Sequence, residues 1–299
     1  MPTPSKTPPG RAKKSLPSLT SRPATHVAPK KPLAKPMGTR LPIYTAKPAP
    51  DSRDTSWGEV ASWYDRLLGG ESGTFQKEVI LPNLLRLMAV KPEEHVVDVA
   101  CGQGFFAGAL VQAGATVAGV DISKELIEKA KVNAPGATFH ISPATSMPQI
   151  PDGWASQAVI VLAIQNIEDA RGVFAECSRM LSSGGRLHVI MNHPAFRIPK
   201  RTAWGWDKEN RQYRRIDGYL TESKIDIDMH PGSDPGSRTV SFHRPLQYYV
   251  KALARNGFNL ANLEEWISHK VSDSGPRAPE ENRARREFPL FLYLEAIKQ

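Results

Sequence analysis

Hydrophobic and polar positions follow two rhythms along the chain, and each rhythm predicts one type of element. Between residues 56 and 68, apolar side chains recur at three- and four-residue spacing, the pattern of an amphipathic helix, and Gly69 and Gly70 end it. A second helix is predicted over residues 75–88. From residue 92 onward, short apolar runs alternate with helical stretches, so strands and helices are predicted in turn as far as residue 191.

This alternation predicts an α/β fold built on a doubly wound, Rossmann-like sheet. Strands are predicted over residues 92–100, 116–120, 138–141, 156–164 and 186–191, and helices over residues 105–113, 124–132 and 171–181. A helix over 246–256, ended by Gly257, and strands over 259–266 and 289–296 follow later in the chain. Helical crossovers imply a mostly parallel sheet covered on both faces. We expect the last two strands, joined by a long polar loop, to pair so that the last strand is antiparallel.

The alternation breaks after the fifth strand, where residues of about 192–244 form a predicted insertion. It mixes basic side chains with aromatic ones and has turn signals over residues 231–236. Arginines and aromatic rings together suit anionic or planar ligands, so the insertion could bind the substrate. Alternatively, it is a lid whose aromatic side chains pack on the rest of the domain while its charges face water. Candidate substrate-binding residues in this segment are Arg197, Trp204, Tyr219, His243 and Arg244.

Charge is distributed unevenly, and the N-terminal tail holds all of the positive excess. The chain has 299 residues and a formal net charge of +9, but residues 1–50 contain ten basic residues, twelve prolines and no acidic residue. Residues 51–299 carry 29 basic against 30 acidic residues. We expect residues 1–55 to form a disordered, basic, Pro-rich tail, because they have little apolar surface to bury. A polyanion-binding arm, a transit peptide and a Pro-rich partner ligand remain alternatives, and residues 56–299 are predicted to form one domain.

Composition also excludes several classes of protein. Two cysteines, Cys101 and Cys177, are too few for a disulfide framework or a zinc ribbon, and the eight histidines show no ligand spacing, so no metal site is expected. The longest apolar run is far shorter than the roughly 20 residues of a membrane helix. No apolar segment follows the N-terminal charges, which argues against a secretory signal. We therefore expect a cytoplasmic protein without membrane contact.

A glycine-rich turn after the first strand carries the candidate chemistry. Gly102, Gly104 and Ala107 have the spacing of a dinucleotide-binding turn, and Asp121 ends the next strand nineteen residues after Gly102. Glycine lets the backbone approach a ligand, and an acid at this place can accept hydrogen bonds from ribose hydroxyls. Two ligands fit this pattern, a dinucleotide and a nucleoside with a cationic amino acid group. Asp98 distinguishes them, because a carboxylate beside the turn repels the pyrophosphate of a dinucleotide but suits the cationic group.

With these residues the sequence resembles the class I S-adenosylmethionine-dependent methyltransferases, specifically the type 11 group. The first motif of that group is D-x-G-C-G-x-G-x-x-A, and residues 98–107 read D-V-A-C-G-Q-G-F-F-A. Residues 119–123 look like its second motif, and residues 144–151 resemble its adenine-contacting segment. The sequence departs from the pattern at three positions. The family usually has glycine where this chain has Ala100, and it commonly has an acidic residue where this chain has Pro143. Near the helix after the fourth strand, where the family normally has a histidine, this chain has Gln165.

The resemblance implies S-adenosylmethionine as cofactor and a set of residues that contact it. An N-terminal helical lid is implied as well, in which a tyrosine often touches the cofactor. The implied cofactor-binding residues are Tyr64, Asp98, Ala100, Cys101, Gly102, Gly104, Asp121, Ile122, Ala144 and Ala163.

Methyl transfer from a sulfonium is an in-line displacement, so the protein mainly has to hold donor and acceptor collinear and dry. A general base is needed only where the acceptor must lose a proton. His193, directly after the fifth strand, is the candidate for that role. The near-neutral domain favours a small-molecule acceptor over RNA, since RNA enzymes usually spread positive charge around the pocket. An RNA or ribosomal target held partly by the tail, a protein side chain, and a non-catalytic member that binds the cofactor or a partner remain alternatives.

Overall fold

The computed structural model describes residues 73–228 and 238–299. The predicted tail over residues 1–55, the predicted helix over 56–68 and Tyr64 lie outside the described residues. Of the helices in these two ranges, none is both long and apolar enough to pass through a lipid bilayer.

A seven-stranded sheet forms the centre of the described structure. Its strands are β1 (His95–Val99), β2 (Thr116–Asp121), β3 (Thr138–Ile141), β4 (Ala155–Val161), β5 (Leu181–Asn192), β10 (Phe258–Trp266) and β11 (Phe291–Lys298), in the order β10-β11-β5-β4-β1-β2-β3. Strand β11 pairs antiparallel with both β5 and β10, whereas the neighbours from β5 to β3 are parallel. This confirms the expected Rossmann-like sheet with an antiparallel last strand.

Helices cover the sheet from both sides. They are α1 (Leu81–Met88, preceded by a π-helical turn, Gln76–Ile80), α2 (Phe105–Gln112), α3 (Lys124–Asn133), α4 (Ala170–Met180), α5 (Leu246–Arg255) and α6 (Ala278–Glu287). Val97 and Val99 of β1 pack in a core with α4 and α5, while Val96 packs in a second core with α1 and α2. Because successive side chains of a strand point to opposite faces, β1 contributes to both cores.

Two strand boundaries differ from the predicted ones for a backbone reason. The predicted strand over 156–164 ends as β4 at Val161, because Leu162 adopts a left-handed φ of 54° that no strand continues, and a short 3₁₀ turn, Ile164–Asn166, follows. Strand β5 begins at Leu181 rather than at residue 186, and it includes Gly184 at φ 74°. Its pairing with β4 shifts register beside this glycine, which an apolar pattern does not reveal.

The insertion contains two β-hairpins that sequence periodicity did not predict. They are β6 (Thr202–Trp206) with β7 (Gln212–Ile216), and β8 (Ser223–Asp228) with β9 (Arg238–His243). Helix α6, in the supposed polar loop before the last strand, was missed because Ala284 is its one buried residue. Its signals are electrostatic, since Glu280 and Glu281 lie in the first turn and arginines in the last, as the helix dipole favours.

Candidate functional site

A pocket lies at the carboxyl ends of β1 and β4, where open α/β sheets bind ligands. Residues 100–103 of the glycine-rich turn line it together with Asp98, Phe105, Phe106 and Val161. The sequence predicted the turn and Asp98 but missed Gln103 and the two phenylalanines. Gln103 is buried and its Oε1 has no hydrogen-bond partner, and its position between the two glycines was the available signal.

The turn requires left-handed backbone at three positions. Ala100 has φ 56°, Gly102 has φ 55° and Gly104 has φ 81°. A Cβ on Gly104 would lie 3.0 Å from Ala130 Cβ on α3, whereas a Cβ on Gly102 would meet nothing within 4 Å. Gly104 is therefore needed for helix packing as well as for its φ, and Gly102 keeps the pocket side open. Alanine at position 100 accepts a left-handed strain of about 1–2 kcal/mol that glycine avoids.

Asp98 is a buried carboxylate with an incomplete set of hydrogen bonds. Its side chain is 2% exposed and its Oδ2 has no partner. Burial and the neighbouring charge of Asp121 raise the pKa of Asp98 to about 7, although a hydrogen bond from the Ala107 backbone opposes this. A buried acceptor without a donor destabilises a fold unless a ligand or water supplies one. Asp98 therefore has the charge and the free oxygen to hold a cationic group.

Asp121 lies beside the same turn and connects it to the end of β2. Its Oδ2 accepts a hydrogen bond from the Gly102 backbone N–H and its Oδ1 one from Ser123, both at 2.9 Å. Burial raises the pKa of Asp121, and these backbone hydrogen bonds oppose the rise. Each carboxylate oxygen keeps a second lone pair for further donors. The next residue, Ile122, is half-buried. On β2, a Cβ at position 119 would lie 3.0 Å from Cys101 Sγ, so glycine is required at position 119.

These residues fit S-adenosylmethionine. Asp98 offers an unpartnered oxygen for the ammonium of the amino acid group, and Asp121 offers oxygens for two ribose hydroxyls. The Asp98 carboxylate beside the turn disfavours a pyrophosphate, which argues against the dinucleotide interpretation on charge. No group of three or more His, Cys, Asp or Glu side chains within 73–228 and 238–299 is arranged to hold a metal ion.

The segment predicted to contact adenine is held firmly by α4. Glu176 Oε1 accepts a hydrogen bond from the Met147 backbone N–H at 2.6 Å, and Arg179 donates to the carbonyls of Met147 and Ile150. Ala144, at the start of the segment, packs against the core formed with α4 and α5. Ala163 lies between β4 and the 3₁₀ turn and packs against that core too. The structure thus places both alanines near the carboxyl edge of the sheet.

His193 follows β5 and is buried, with both ring nitrogens in contacts. Nδ1 accepts from the backbone N–H groups of Ala195 and Phe196, at 3.2 and 3.4 Å, so Nε2 carries the proton and donates to Glu265 Oε1 at 2.7 Å. Burial lowers the pKa of His193, and Glu265 opposes this. The neutral ring therefore connects β5, β10 and the start of the insertion, and proton abstraction would require one of these hydrogen bonds to break.

His243 and Arg244 connect the insertion to the turn after β4. Arg244 is buried and donates to the carbonyls of Ile164, Ile167 and Glu168, at 3.3, 2.9 and 2.6 Å. His243 Nε2 donates to the Tyr219 carbonyl at 2.8 Å, and the Tyr219 hydroxyl accepts from the Leu246 backbone at 3.1 Å. These three predicted substrate-binding residues thus lie together, and their visible contacts fix the position of β9.

Arg197 and Trp204 form a separate group on the β6–β7 side. Trp204 is partly exposed, packs edge-on against Phe288, and lies under the guanidinium of Arg214 at 4.9 Å. Arg197 is exposed; its backbone N–H donates to the His193 carbonyl at 2.9 Å, while its guanidinium forms no hydrogen bond or ion pair with another described residue. The sequence analysis assigned no binding role to two further side chains that have an unpartnered buried atom. They are Gln165, through Oε1 in the turn held by Arg244, and Ser223, through Oγ at the start of β8.

Comparisons with known proteins agree with this fold. Residues 97–189 match a methyltransferase domain of type 11. An uncharacterized methyltransferase of Synechocystis sp. is 30% identical over 128 residues, which are 42% of this chain and 57% of that protein. A malonyl-[acyl-carrier protein] O-methyltransferase of Hamiltonella defensa is 28% identical over 155 residues, which are 52% of this chain and 58% of that protein. The chain thus spans less than two thirds of the length of these relatives.

An S-adenosylmethionine-dependent methyltransferase structure from Mesorhizobium loti has 26% identity and a TM-score of 0.60, with coverage of 74% of this chain and 99% of that one. A second structure, from Listeria monocytogenes, has 22% identity and a TM-score of 0.58 and supports the fold alone. The domain match includes Asp98, the glycine-rich turn and Asp121. Residues 97–189 thus match a type 11 methyltransferase domain, and these comparisons support a class I S-adenosylmethionine-dependent methyltransferase.

Proposed function

We propose that this protein transfers a methyl group from S-adenosylmethionine to a small-molecule acceptor. The observation that carries the proposal is the unpartnered Oδ2 of buried Asp98, which lies in a glycine-lined pocket next to Asp121. A carboxylate in this setting is unfavourable in the isolated fold and becomes favourable when a cation binds. The ammonium group of the methionine part of the cofactor is such a cation.

In this proposal the residues of the turn bind and orient the donor. Asp98 accepts hydrogen bonds from the ammonium, and Asp121 accepts them from the ribose hydroxyls. Ala100, Cys101, Gly102 and Gly104 keep the backbone close to the ligand. Ile122, Ala144 and Ala163 supply apolar contact near the adenosine, and Tyr64 is proposed to cover it from the helical lid of residues 56–68.

The cofactor, when bound, supplies an activated methyl group on a sulfonium. The protein's contribution is then to align the acceptor with that methyl group and to exclude water. The turn after β4 and strand β9 are suitably placed for this, because β9 packs on Ile164–Asn166 at the carboxyl edge of the sheet. With both ring hydrogen bonds formed, His193 helps to orient this edge. If the acceptor must lose a proton, His193 can accept it only after one of these two hydrogen bonds has broken.

A small-molecule acceptor is favoured by the charges of the described surface. Two arginines of the β6–β7 hairpin are neutralised locally, Arg211 by Asp207 and Arg215 by Asp217. An RNA-binding surface would instead need a continuous positive track. RNA binding through the basic residues 1–50 is the competing proposal, and binding of the cofactor without turnover is a third.

The direct test is isothermal titration of the full chain with S-adenosylhomocysteine, with NAD in a parallel titration. We expect binding of S-adenosylhomocysteine alone. Asp121→Ala should weaken that binding by about 1–3 kcal/mol, because hydrogen bonds to a charged group are lost. Asp273→Asn, at an exposed position, is the matched control and should bind normally. Binding of NAD instead, or of neither ligand, would contradict the proposal.

A further inference from the structure

The insertion contains two kinds of basic side chain, which differ in whether a carboxylate neutralises them. Arg211 pairs with Asp207 at 3.2 Å and Lys224 with Glu168 at 3.7 Å. Within the described part of the chain, by contrast, no carboxylate pairs with Arg197, Lys200 or Arg201, which lie close together in the sequence. A positive field without an internal counter-ion therefore surrounds the segment between β5 and β6.

Lys200 and Arg201 line a surface pocket of about 170 Å³ at the open end of the β6–β7 hairpin. Thr202 and Ala203 form one side of this pocket, and Arg215 and Asp217 form the other. The Asp217 carboxylate is already engaged by Arg215 at 2.8 Å, so it leaves the remaining cations uncompensated. We call this feature the Lys200–Arg201 pocket.

The backbone keeps the shape of this pocket fixed. The Asp217 N–H donates to the Arg201 carbonyl at 2.9 Å, which closes the hairpin end. Lys200 and Gly218 adopt left-handed φ values of 58° and 63°. The Arg201 guanidinium lies over Gly218, where a Cβ would collide with Arg201 Nη1. Glycine at position 218 thus leaves room for the Arg201 guanidinium beside the pocket.

Additional positive charge lies nearby. Burial and the charge of Arg197 lower the pKa of Arg214, which donates to the Phe196 carbonyl at 2.9 Å and to Thr202 Oγ1 at 2.7 Å. Arg201 is also close enough to His243 to contribute to the lowered pKa of that ring. His243 is on β9, which packs on the turn Ile164–Asn166 beside the cofactor edge. His243 thus connects the surroundings of the pocket to the carboxyl edge of the sheet, where an acceptor would meet the methyl donor.

We propose that the Lys200–Arg201 pocket binds the carboxylate or phosphate group of an anionic small-molecule acceptor. This inference rests on the proposed methyltransferase function and names its substrate class. A guanidinium recognises the two oxygens of either group in one plane, and an ammonium adds a point charge. The unpaired charge is confined to the pocket and the adjacent Arg197 and Arg214, since Arg215, Arg211 and Lys224 are ion-paired. This patch is too short to follow a nucleic-acid backbone.

The test uses the full chain and small probes. Inorganic phosphate and succinate are titrated separately while amide resonances are followed by NMR, with succinamide as the uncharged counterpart. We expect saturable shifts of the amides of residues 200–203 and 215–218 with both anions and none with succinamide. Lys200→Gln together with Arg201→Gln should weaken binding of the anions roughly ten-fold or more, because charge-assisted hydrogen bonds are lost. Gly218→Ala, which displaces the Arg201 guanidinium, should also weaken it.

The control is Arg211→Gln, which removes an ion-paired arginine of the same hairpin and should leave anion binding unchanged. S-adenosylhomocysteine affinity and melting temperature are measured on every sample. An equal loss in the control, or shifts that do not saturate in these segments, would overturn the anion pocket while leaving the methyltransferase proposal intact. Tight binding of a single-stranded RNA through the same residues, with steep salt dependence, would also overturn it, because the pocket would then read a nucleic-acid backbone. If the unmodified chain bound the anions but not S-adenosylhomocysteine, that result would count against the methyltransferase proposal instead.

Discussion

Two clusters of buried polar groups occupy the same sheet and differ in how completely they are hydrogen-bonded. In the first, His188 of β5 contacts the Tyr293 hydroxyl through Nδ1 and Gln157 Oε1 through Nε2, both at 2.8 Å. Gln157 in turn donates to Glu94 at 3.0 Å and to the Met88 carbonyl at 3.2 Å. The cluster joins β4, β5, β11 and α1, and each buried side-chain polar atom in it has a hydrogen-bond partner.

The second cluster, at the carboxyl edge, is equally buried but incomplete. Asp98 Oδ2 and Gln103 Oε1 lack partners, and Asp98 and Asp121 place two acids at one turn. Burying a polar group is tolerated when its hydrogen bonds are made and costs free energy when they are not. The first cluster therefore contributes to stability, whereas the second is arranged for a ligand, so mutations in the two should have opposite consequences.

The largest expected effect is on stability, at His188. His188→Ala leaves the Tyr293 hydroxyl and Gln157 Oε1 without partners and opens a cavity, so we expect a loss of about 3–5 kcal/mol in the free energy of unfolding. Chemical denaturation measures this loss. His140→Ala, at a half-buried histidine whose ring forms no hydrogen bond or ion pair within the described residues, should lose much less. Tyr293→Phe, which removes only the hydroxyl, should lose about 1–2 kcal/mol. Normal stability in both cluster variants would mean that the network contributes nothing.

Asp98→Asn should show the reverse pattern. The substitution removes a buried charge, so we expect no loss of melting temperature at pH 8. Affinity for S-adenosylhomocysteine should nevertheless fall by about 2–3 kcal/mol, because the ammonium loses its charged partner. Titration calorimetry and thermal unfolding on the same sample separate the two effects. A parallel loss of stability and affinity would place Asp98 with the first cluster.

The raised pKa of Asp98 also predicts a pH dependence with a definite sign. Because this pKa is about 7 in the free protein, the carboxyl is largely protonated below that pH, and binding of an ammonium must release the proton. Affinity for S-adenosylhomocysteine should therefore fall up to about ten-fold per pH unit below pH 7 and level off above it. Calorimetry in buffers of different ionisation enthalpy counts the released proton. The effect should be absent in Asp98→Asn, and persistence there would assign the proton to another group.

The sequence predicted the second cluster far better than the first, and the reason is locality. The strand, the glycine-rich turn and Asp121 lie within about 25 consecutive residues, and turn chemistry and periodicity act over that range. The His188 network combines side chains from distant parts of the chain, which only the pairing of the three strands β4, β5 and β11 brings together. The same limit explains His193, whose partner Glu265 is 72 residues away, and helix α6, which has almost no apolar face.

The smallest expected effect concerns the backbone of the turn itself. Ala100→Gly removes the left-handed strain at φ 56° but increases the entropy of the unfolded chain, so we expect a net stabilisation below about 1 kcal/mol. Gly102→Ala is the matched opposite, because position 102 has φ 55° and space for a Cβ. It should destabilise by about 1 kcal/mol through strain alone. Thermal unfolding of both variants tests the sign. If Ala100→Gly were stabilising yet bound S-adenosylhomocysteine more weakly, the alanine methyl would contribute to the site; unchanged affinity would confine its effect to the fold.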